Sequence, residues 1–110
     1  MTVMEAKMDG LLRGLRVSRR DAAYHYFMEM ARLYGEGTPP GIDLLLQVRT
    51  VTNCNYIAMR RALIRACKQI CRSPVGACIF GEDEKDWDFL DMAVRLVVIA
   101  ASRDSRPRFA

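Results

Sequence analysis

The chemistry that stands out in this sequence is a line of cations along one predicted helix, Tyr56–Arg72. Four basic side chains occur there at positions i, i+4, i+7 and i+11, which share one side of a helix at about 100° per residue. The opposite side is apolar and can pack. Guanidinium groups suit phosphate and carboxylate because they make bidentate contacts with both. We call these four residues the basic stripe: Arg61, Arg65, Lys68 and Arg72.

Charge is distributed unevenly along the 110 residues, which carry a net charge of +4. Residues 38–80 hold six basic residues and one acidic residue, a net charge of +5, whereas residues 81–102 hold two basic and six acidic residues, a net charge of −4. Two interpretations of the basic stripe follow. Either it contacts nucleic-acid phosphates, which attract cations without regard to base sequence, or it pairs internally with the acidic segment Glu82–Asp91.

Residues 47–63 resemble a helix-turn-helix, a motif that places its second helix in the DNA major groove. Asn53 stands at the turn, where glycine is usual, and asparagine tolerates the left-handed conformation that the turn requires. Arg49 departs from the motif, which normally has alanine there, and the second helix is longer than a usual recognition helix. The alternative is two core helices joined by a short capped turn. The packing residues that the resemblance implies are Val48, Val51, Cys54, Met59 and Leu63.

The helix-turn-helix resemblance also implies groove contacts from the start of the second helix. Arg60 and Arg61 are expected to contact guanine or phosphate. Asn55, Tyr56 and Ile57 are expected to face the groove beside them. Together with the basic stripe, the predicted nucleic-acid-binding residues are Asn55, Tyr56, Arg60, Arg61, Arg65, Lys68 and Arg72.

Residues suited to catalysis or metal binding are few. The single histidine, His25, is expected on the wet face of a helix, and the sequence contains no glycine-rich phosphate loop or nucleophile-elbow pattern. Cys67 and Cys71 share a helix face, but no C-x-x-C pair accompanies them. We interpret them as buried thiols rather than zinc ligands. We therefore expect no enzymatic activity, no metal site and no cofactor.

The elements that position the basic stripe are predicted to be helices throughout. Hydrophobic spacing predicts an all-α bundle of four to five helices, with one domain over residues 1–102 and a basic flexible tail at 103–110. The last helix is apolar almost all round from residue 89, which favours a central position in the bundle or a dimer seam. Residues 77–80 are either a short strand or one helical turn. The predicted helices cover about 3–15, 18–34, 42–51, 56–72 and 83–101.

The second predicted helix has explicit boundary signals. Ser18 is the predicted N-cap with Asp21 in the first turn, and Gly35 fits the position just after the helix. The side chains expected to be wet are those of His25, Glu29, Arg32 and Glu36. Those expected in the core are Ala23, Tyr26, Phe27, Met30, Ala31 and Tyr34.

Composition also bears on compartment and partners. The longest apolar stretch, Met92–Ala101, holds ten residues including Arg95, whereas about 20 are needed to span a bilayer. Four cysteines without a secretory signal favour a reducing, intracellular location in the cytoplasm or nucleus. The apolar helices indicate self-association as a homodimer. The alternative to nucleic-acid binding is a protein-interaction module, such as a viral or phage adaptor or inhibitor, whose basic face binds an acidic protein.

Overall fold

Six α-helices make up the part of the chain that the computed structural model describes, residues 2–80 and 88–102. The predicted all-α class is therefore confirmed. The predicted count of four to five was too low, because residues 74–80 form a helix of their own. In chain order the helices are α1 (Val3–Gly14), α2 (Ala22–Gly35), α3 (Ile42–Thr52), α4 (Tyr56–Arg72), α5 (Pro74–Phe80) and α6 (Phe89–Ser102).

Helix α2 lies at the centre of the bundle and packs against α1, α3, α4 and α6. Its Phe27 and Met30 are fully buried, which fits the long apolar side chains at helical spacing in its sequence. Helix α6, expected to be central in the bundle or to form a dimer seam, packs against α1, α2 and α4. Its exposed Asp91 and Arg95 leave one face polar.

The first residue of α2 differs from the predicted one. The N-cap is Asp21, whose carboxylate accepts a hydrogen bond from the Ala23 N–H at 3.0 Å. Ser18 does not cap the helix because its hydroxyl accepts the Arg20 N–H within the preceding loop. At the other end Gly35 is the last helical residue, and Gly37 supplies the positive φ of 109° that the terminating turn needs.

A buried carboxylate joins α1 to α2. Asp9 is 8% exposed, and its Oδ1 accepts a hydrogen bond of 2.6 Å from the Tyr24 hydroxyl. Tyr24 therefore belongs to the core of α2, as does Leu33, whereas the predicted Tyr26 and Tyr34 are only half-buried. The sequence analysis missed this pair because a tyrosine and an aspartate are buried here only through each other.

Helices α4 and α5 are joined by a tight reversal. Ser73 has an extended backbone that ends α4, and its hydroxyl oxygen accepts the Gly76 N–H at 3.0 Å, which starts α5. A Cβ atom on Gly76 would lie 1.6 Å from the Ile70 carbonyl oxygen. Only glycine fits this approach, so the position of α5 against α4 depends on it.

The last helix begins at Phe89, directly after Asp88. The Asp88 carboxylate accepts hydrogen bonds from the N–H groups of Leu90 and Asp91, as an N-cap does. The predicted start near Asp83 and the predicted tail at 103–110 lie outside the described residues.

Candidate nucleic-acid interface

Helix α4 forms over the predicted residues. Its N-cap is Asn55, whose Oδ1 accepts hydrogen bonds from the Ile57 N–H at 2.9 Å and the Ala58 N–H at 3.2 Å. The packed face of the helix is also confirmed, since its apolar side chains at helical spacing are buried. These are Met59, Ala62, Leu63, Ala66, Cys67 and Ile70.

The basic stripe lies on the opposite, solvent-facing side of α4, and all four of its side chains are exposed. Together with Ile64 and Gln69 they line a shallow depression of about 350 Å³. Within residues 2–80 and 88–102, none of the four takes part in an ion pair. The Lys68 ammonium lies 5.5 Å from the centre of the Phe89 ring, a cation–π contact with the first residue of α6.

Internal pairing of the stripe with Glu82–Asp91 can be followed only at the end of that segment. Asp88 caps α6, and the Asp91 carboxylate lies 3.9 Å from the Arg95 guanidinium one turn further along α6. Neither carboxylate is paired with the basic stripe. The acidic residues 82–86 fall outside the described part of the chain.

The predicted residues before the stripe have different environments. Asn55 is exposed, but its side-chain oxygen is used in capping α4, and Tyr56 is half-buried against the core. Arg60 is exposed and lies about 100° around the helix from Arg61, so it faces a neighbouring direction rather than the line of the stripe. Ile57 is 59% exposed and stands one turn before Arg61. The solvent-facing groups at this end are therefore cationic and apolar.

The turn between α3 and α4 has the conformation expected from the helix-turn-helix resemblance. Asn53 is left-handed, with φ 49° and ψ 39°, and Val48, Met59 and Leu63 are buried. Val51 is 49% exposed, so its predicted packing role is wrong, because the side of α3 that carries it faces away from the core. Whether α4 acts as a recognition helix stays a prediction.

A second basic segment, residues 13–20, spans the last turn of α1 and the loop between α1 and α2, and the sequence analysis missed it. Two of its arginines share the buried Asp9, at 3.3 Å for Arg19 and 3.8 Å for Arg13. The other two, Arg16 and Arg20, are exposed and form no ion pair with any described residue. The signal was present in the sequence as four arginines within residues 13–20.

The fold brings this loop towards the start of α4. The half-buried Cys54 in the α3–α4 turn contacts Tyr26 in the second turn of α2. Burial, followed by the electrostatic interaction and hydrogen bond with Cys54, raises the pKa of Tyr26. Because the α1–α2 loop leads directly into α2, the loop and the first turn of α4 lie at the same end of the bundle.

The remaining candidate groups do not form a second site. Cys67 is fully buried, and burial raises the pKa of its thiol to about 12, while the Cys71 sulfur lies 3.7 Å from the Met92 sulfur. No group of three or more histidine, cysteine or acidic side chains with metal-binding geometry occurs in the described residues. His25 is exposed, as expected, with its ring edge-on to Tyr24.

Comparison with models of protein families, with curated proteins and with solved structures found no match to this chain. Among the described helices, none is long and apolar enough to cross a membrane.

Proposed function

We propose that this protein is a small, non-catalytic nucleic-acid-binding protein that uses α4 to contact the phosphates of DNA or RNA. The observation that supports the proposal is the basic stripe: four exposed cations on one face of α4, none of them in an ion pair with another described residue. The opposite face of α4 is buried, so the helix is held in place while its cations meet solvent. Cations fixed in this way need little rearrangement to meet an anion.

The length of the stripe suits a polyanion rather than a small ligand. Its ends are eleven residues apart, which at a rise of 1.5 Å per residue is roughly 16 Å. Such a distance covers several phosphates along a backbone. The depression around the stripe is shallow and is lined by α4 alone. Such a surface suits contact along a nucleic-acid backbone better than enclosure of a small ligand.

Contacts with bases would come from the start of α4. Asn55 caps the helix and Tyr56 packs on the core, so we assign this role to Arg60 and Arg61, with Ile57 as an apolar neighbour. If α4 does enter the major groove, these residues will distinguish base sequences, whereas the stripe will not.

A salt titration tests the proposal. We expect duplex DNA, duplex RNA or single strands to bind near 50 mM salt and to dissociate steeply as salt is raised, because each phosphate contact releases counterions. Arg61→Ala/Arg65→Ala should weaken binding and flatten the salt dependence, while Arg95→Ala, an exposed arginine paired on α6, should change little. Absence of binding near 50 mM salt, or binding that the double variant leaves unchanged, would refute the proposal.

A specific observation also favours the second candidate, an acidic protein partner. Ile57 is 59% exposed one turn before Arg61, and Ile64 is half-buried between the stripe cations. Mixed apolar and arginine surface is common at protein interfaces. A pull-down from nuclease-treated lysate separates the candidates: a partner that is retained, and lost in Arg61→Ala/Arg65→Ala, favours the protein-interaction module.

Self-association, measurable by sedimentation, and an intracellular location stay predictions.

A further inference from the structure

We propose that the loop between α1 and α2 is a second phosphate-binding point of the same nucleic-acid site, with Arg16 and Arg20 contacting the backbone beside the start of α4. This inference rests on the proposed function and adds to it the residues that extend the site beyond one helix. The sequence separates Arg20 from Arg60 by forty residues, and only the fold relates them.

The conformation of Arg16 is the first reason for the assignment. Helix α1 ends in a turn in which the Arg16 N–H donates to the Arg13 carbonyl and the Val17 N–H donates to the Leu12 carbonyl. In this turn Arg16 has a φ of 61°, the left-handed conformation that glycine adopts without strain. Glycine would adopt this backbone conformation with less strain than arginine does. Arginine supplies an exposed guanidinium at this position.

The ion pairs of the loop are the second reason. Asp9 is held by the Tyr24 hydroxyl at 2.6 Å and pairs with Arg19, one of the three loop cations, and with Arg13 in the last turn of α1. This network fixes the loop against α1 and α2. The charges left over, those of Arg16 and Arg20, project from an anchored loop and have no ion-pair partner in the described structure.

The position of the loop is the third reason. Arg20 stands two residues before the first residue of α2, and Tyr26 in the second turn of α2 contacts Cys54, which stands two residues before the first residue of α4. The loop cations and the first cations of α4 therefore lie at one end of the bundle. A backbone bound at that end of α4 can continue onto the loop.

The experiment measures binding of a short DNA duplex to the full chain across a salt series, with duplex RNA and single strands of the same sequence as parallel probes. The test variant is Arg16→Gly/Arg20→Gln. Glycine relieves the left-handed backbone at position 16, so this change removes a charge without threatening the fold. Arg16→Lys keeps the charge, and Arg95→Gln is the one-charge control on another helix.

Each phosphate contact contributes about 0.9 to the slope of log affinity against log salt for duplex DNA. We expect the double variant to reduce that slope by nearly 2 and to weaken binding near 50 mM salt by about tenfold for each charge removed. Arg16→Lys and Arg95→Gln should retain the slope of the unaltered chain.

The outcomes separate this inference from the proposed function. If Arg16→Gly/Arg20→Gln binds as the unaltered chain does, while Arg61→Ala/Arg65→Ala does not, the loop assignment is wrong and the α4 site stands. If the unaltered chain binds none of the probes, the loop assignment and the proposed function are both refuted. Capture of an acidic protein without binding to any nucleic-acid probe belongs to this outcome. A melting temperature for the double variant at or above that of the unaltered chain shows that its loss of affinity does not arise from unfolding.

Discussion

The two ends of α4 carry cations at similar spacing but have different surroundings. The N-terminal end lies at the same end of the bundle as a loop with two arginines that have no ion-pair partner in the described structure, and Ile57 is exposed one turn before Arg61. At the C-terminal end Lys68 lies over Phe89, which follows the exposed Asp88. Asp88 and Asp91 place two carboxylates at the start of α6. A regular charge pattern on one helix therefore does not make its cations equivalent.

This difference assigns separate roles to the ends. A polyanion is attracted where cations accumulate and repelled where carboxylates do. The N-terminal end should contribute most to nucleic-acid binding. The C-terminal end, where Lys68 contacts α6 and Gly76 allows α5 to fold back, should contribute less to binding and more to the packing of the bundle.

The largest effect on stability is expected from breaking the C-terminal end. Gly76→Ala places a Cβ atom 1.6 Å from the Ile70 carbonyl oxygen, so α5 must move away from α4. We expect a loss of about 3 kcal/mol in the free energy of unfolding, measured by urea denaturation followed by circular dichroism. Gly10→Ala is the control: a Cβ atom there meets open space within α1, and alanine should stabilise the protein by about 0.5 to 1 kcal/mol. Equal stability of both variants would show that α5 is not held as described.

The contrast in binding is tested by two variants that each remove two charges. Arg60→Ala/Arg61→Ala should weaken nucleic-acid affinity near 50 mM salt by about 100-fold, because each lost phosphate contact costs about tenfold. Lys68→Ala/Arg72→Ala should weaken it by a smaller factor, about tenfold, because the carboxylates at the start of α6 offset these cations. Fluorescence anisotropy with a labelled duplex measures both. Equal losses at the two ends would remove the distinction between them.

The anchor of the N-terminal end is the hydrogen bond between Tyr24 and Asp9. Tyr24→Phe removes it and should cost about 2 kcal/mol of stability at neutral pH, since a carboxylate buried at 8% exposure loses a short hydrogen bond. The Tyr24 hydrogen bond, assisted by Arg19 and Arg13, holds the pKa of Asp9 below its usual 3.8 despite burial.

The pH dependence of that anchor has a definite sign. Because the folded pKa of Asp9 is lowered, its contribution to stability is complete above pH 3.8 and is lost as the pH falls through the folded value. Urea denaturation at several acidic pH values should therefore show a steeper loss of stability in the unaltered chain than in Tyr24→Phe. If stability falls equally with pH in the two proteins, the hydrogen bond between Tyr24 and Asp9 does not stabilise the loop.

The smallest effect on stability is expected at Arg16. Arg16→Gly should leave the protein as stable or raise its stability by up to about 1 kcal/mol, because the left-handed backbone no longer carries a Cβ atom. Thermal denaturation by circular dichroism measures the change. Arg20→Gln, which has no such backbone effect, is the comparison. A clear destabilisation by glycine would show that the Arg16 side chain supports the fold.

Local signals were enough to predict α4 but not its surroundings. Asn55 as N-cap, the break at Pro74 and the spacing of apolar residues fix the helix without reference to the rest of the chain. At α2 two residues, Ser18 and Asp21, have the chemistry of a cap, and only the loop conformation decides between them. Local preference is sufficient where a single candidate is present.

The second basic segment was beyond the reach of sequence patterns for another reason. Which arginines of residues 13–20 form ion pairs depends on the burial of Asp9, and that burial depends on Tyr24, fifteen residues away. The proximity of the α1–α2 loop to α4 depends on the contact between Tyr26 and Cys54, twenty-eight residues apart. Contacts over such separations arise from packing and leave no periodic trace along the chain.

The rate at which the buried Cys67 thiol is modified measures how often the core opens. With no exposed surface and a pKa raised to about 12, it is protected from alkylating reagents while α4 is packed. Its modification must wait for an opening of the core, so the rate of labelling reports how often that opening occurs. Exposed Cys78 on α5 is modified without such an opening and supplies the reference rate in the same molecule.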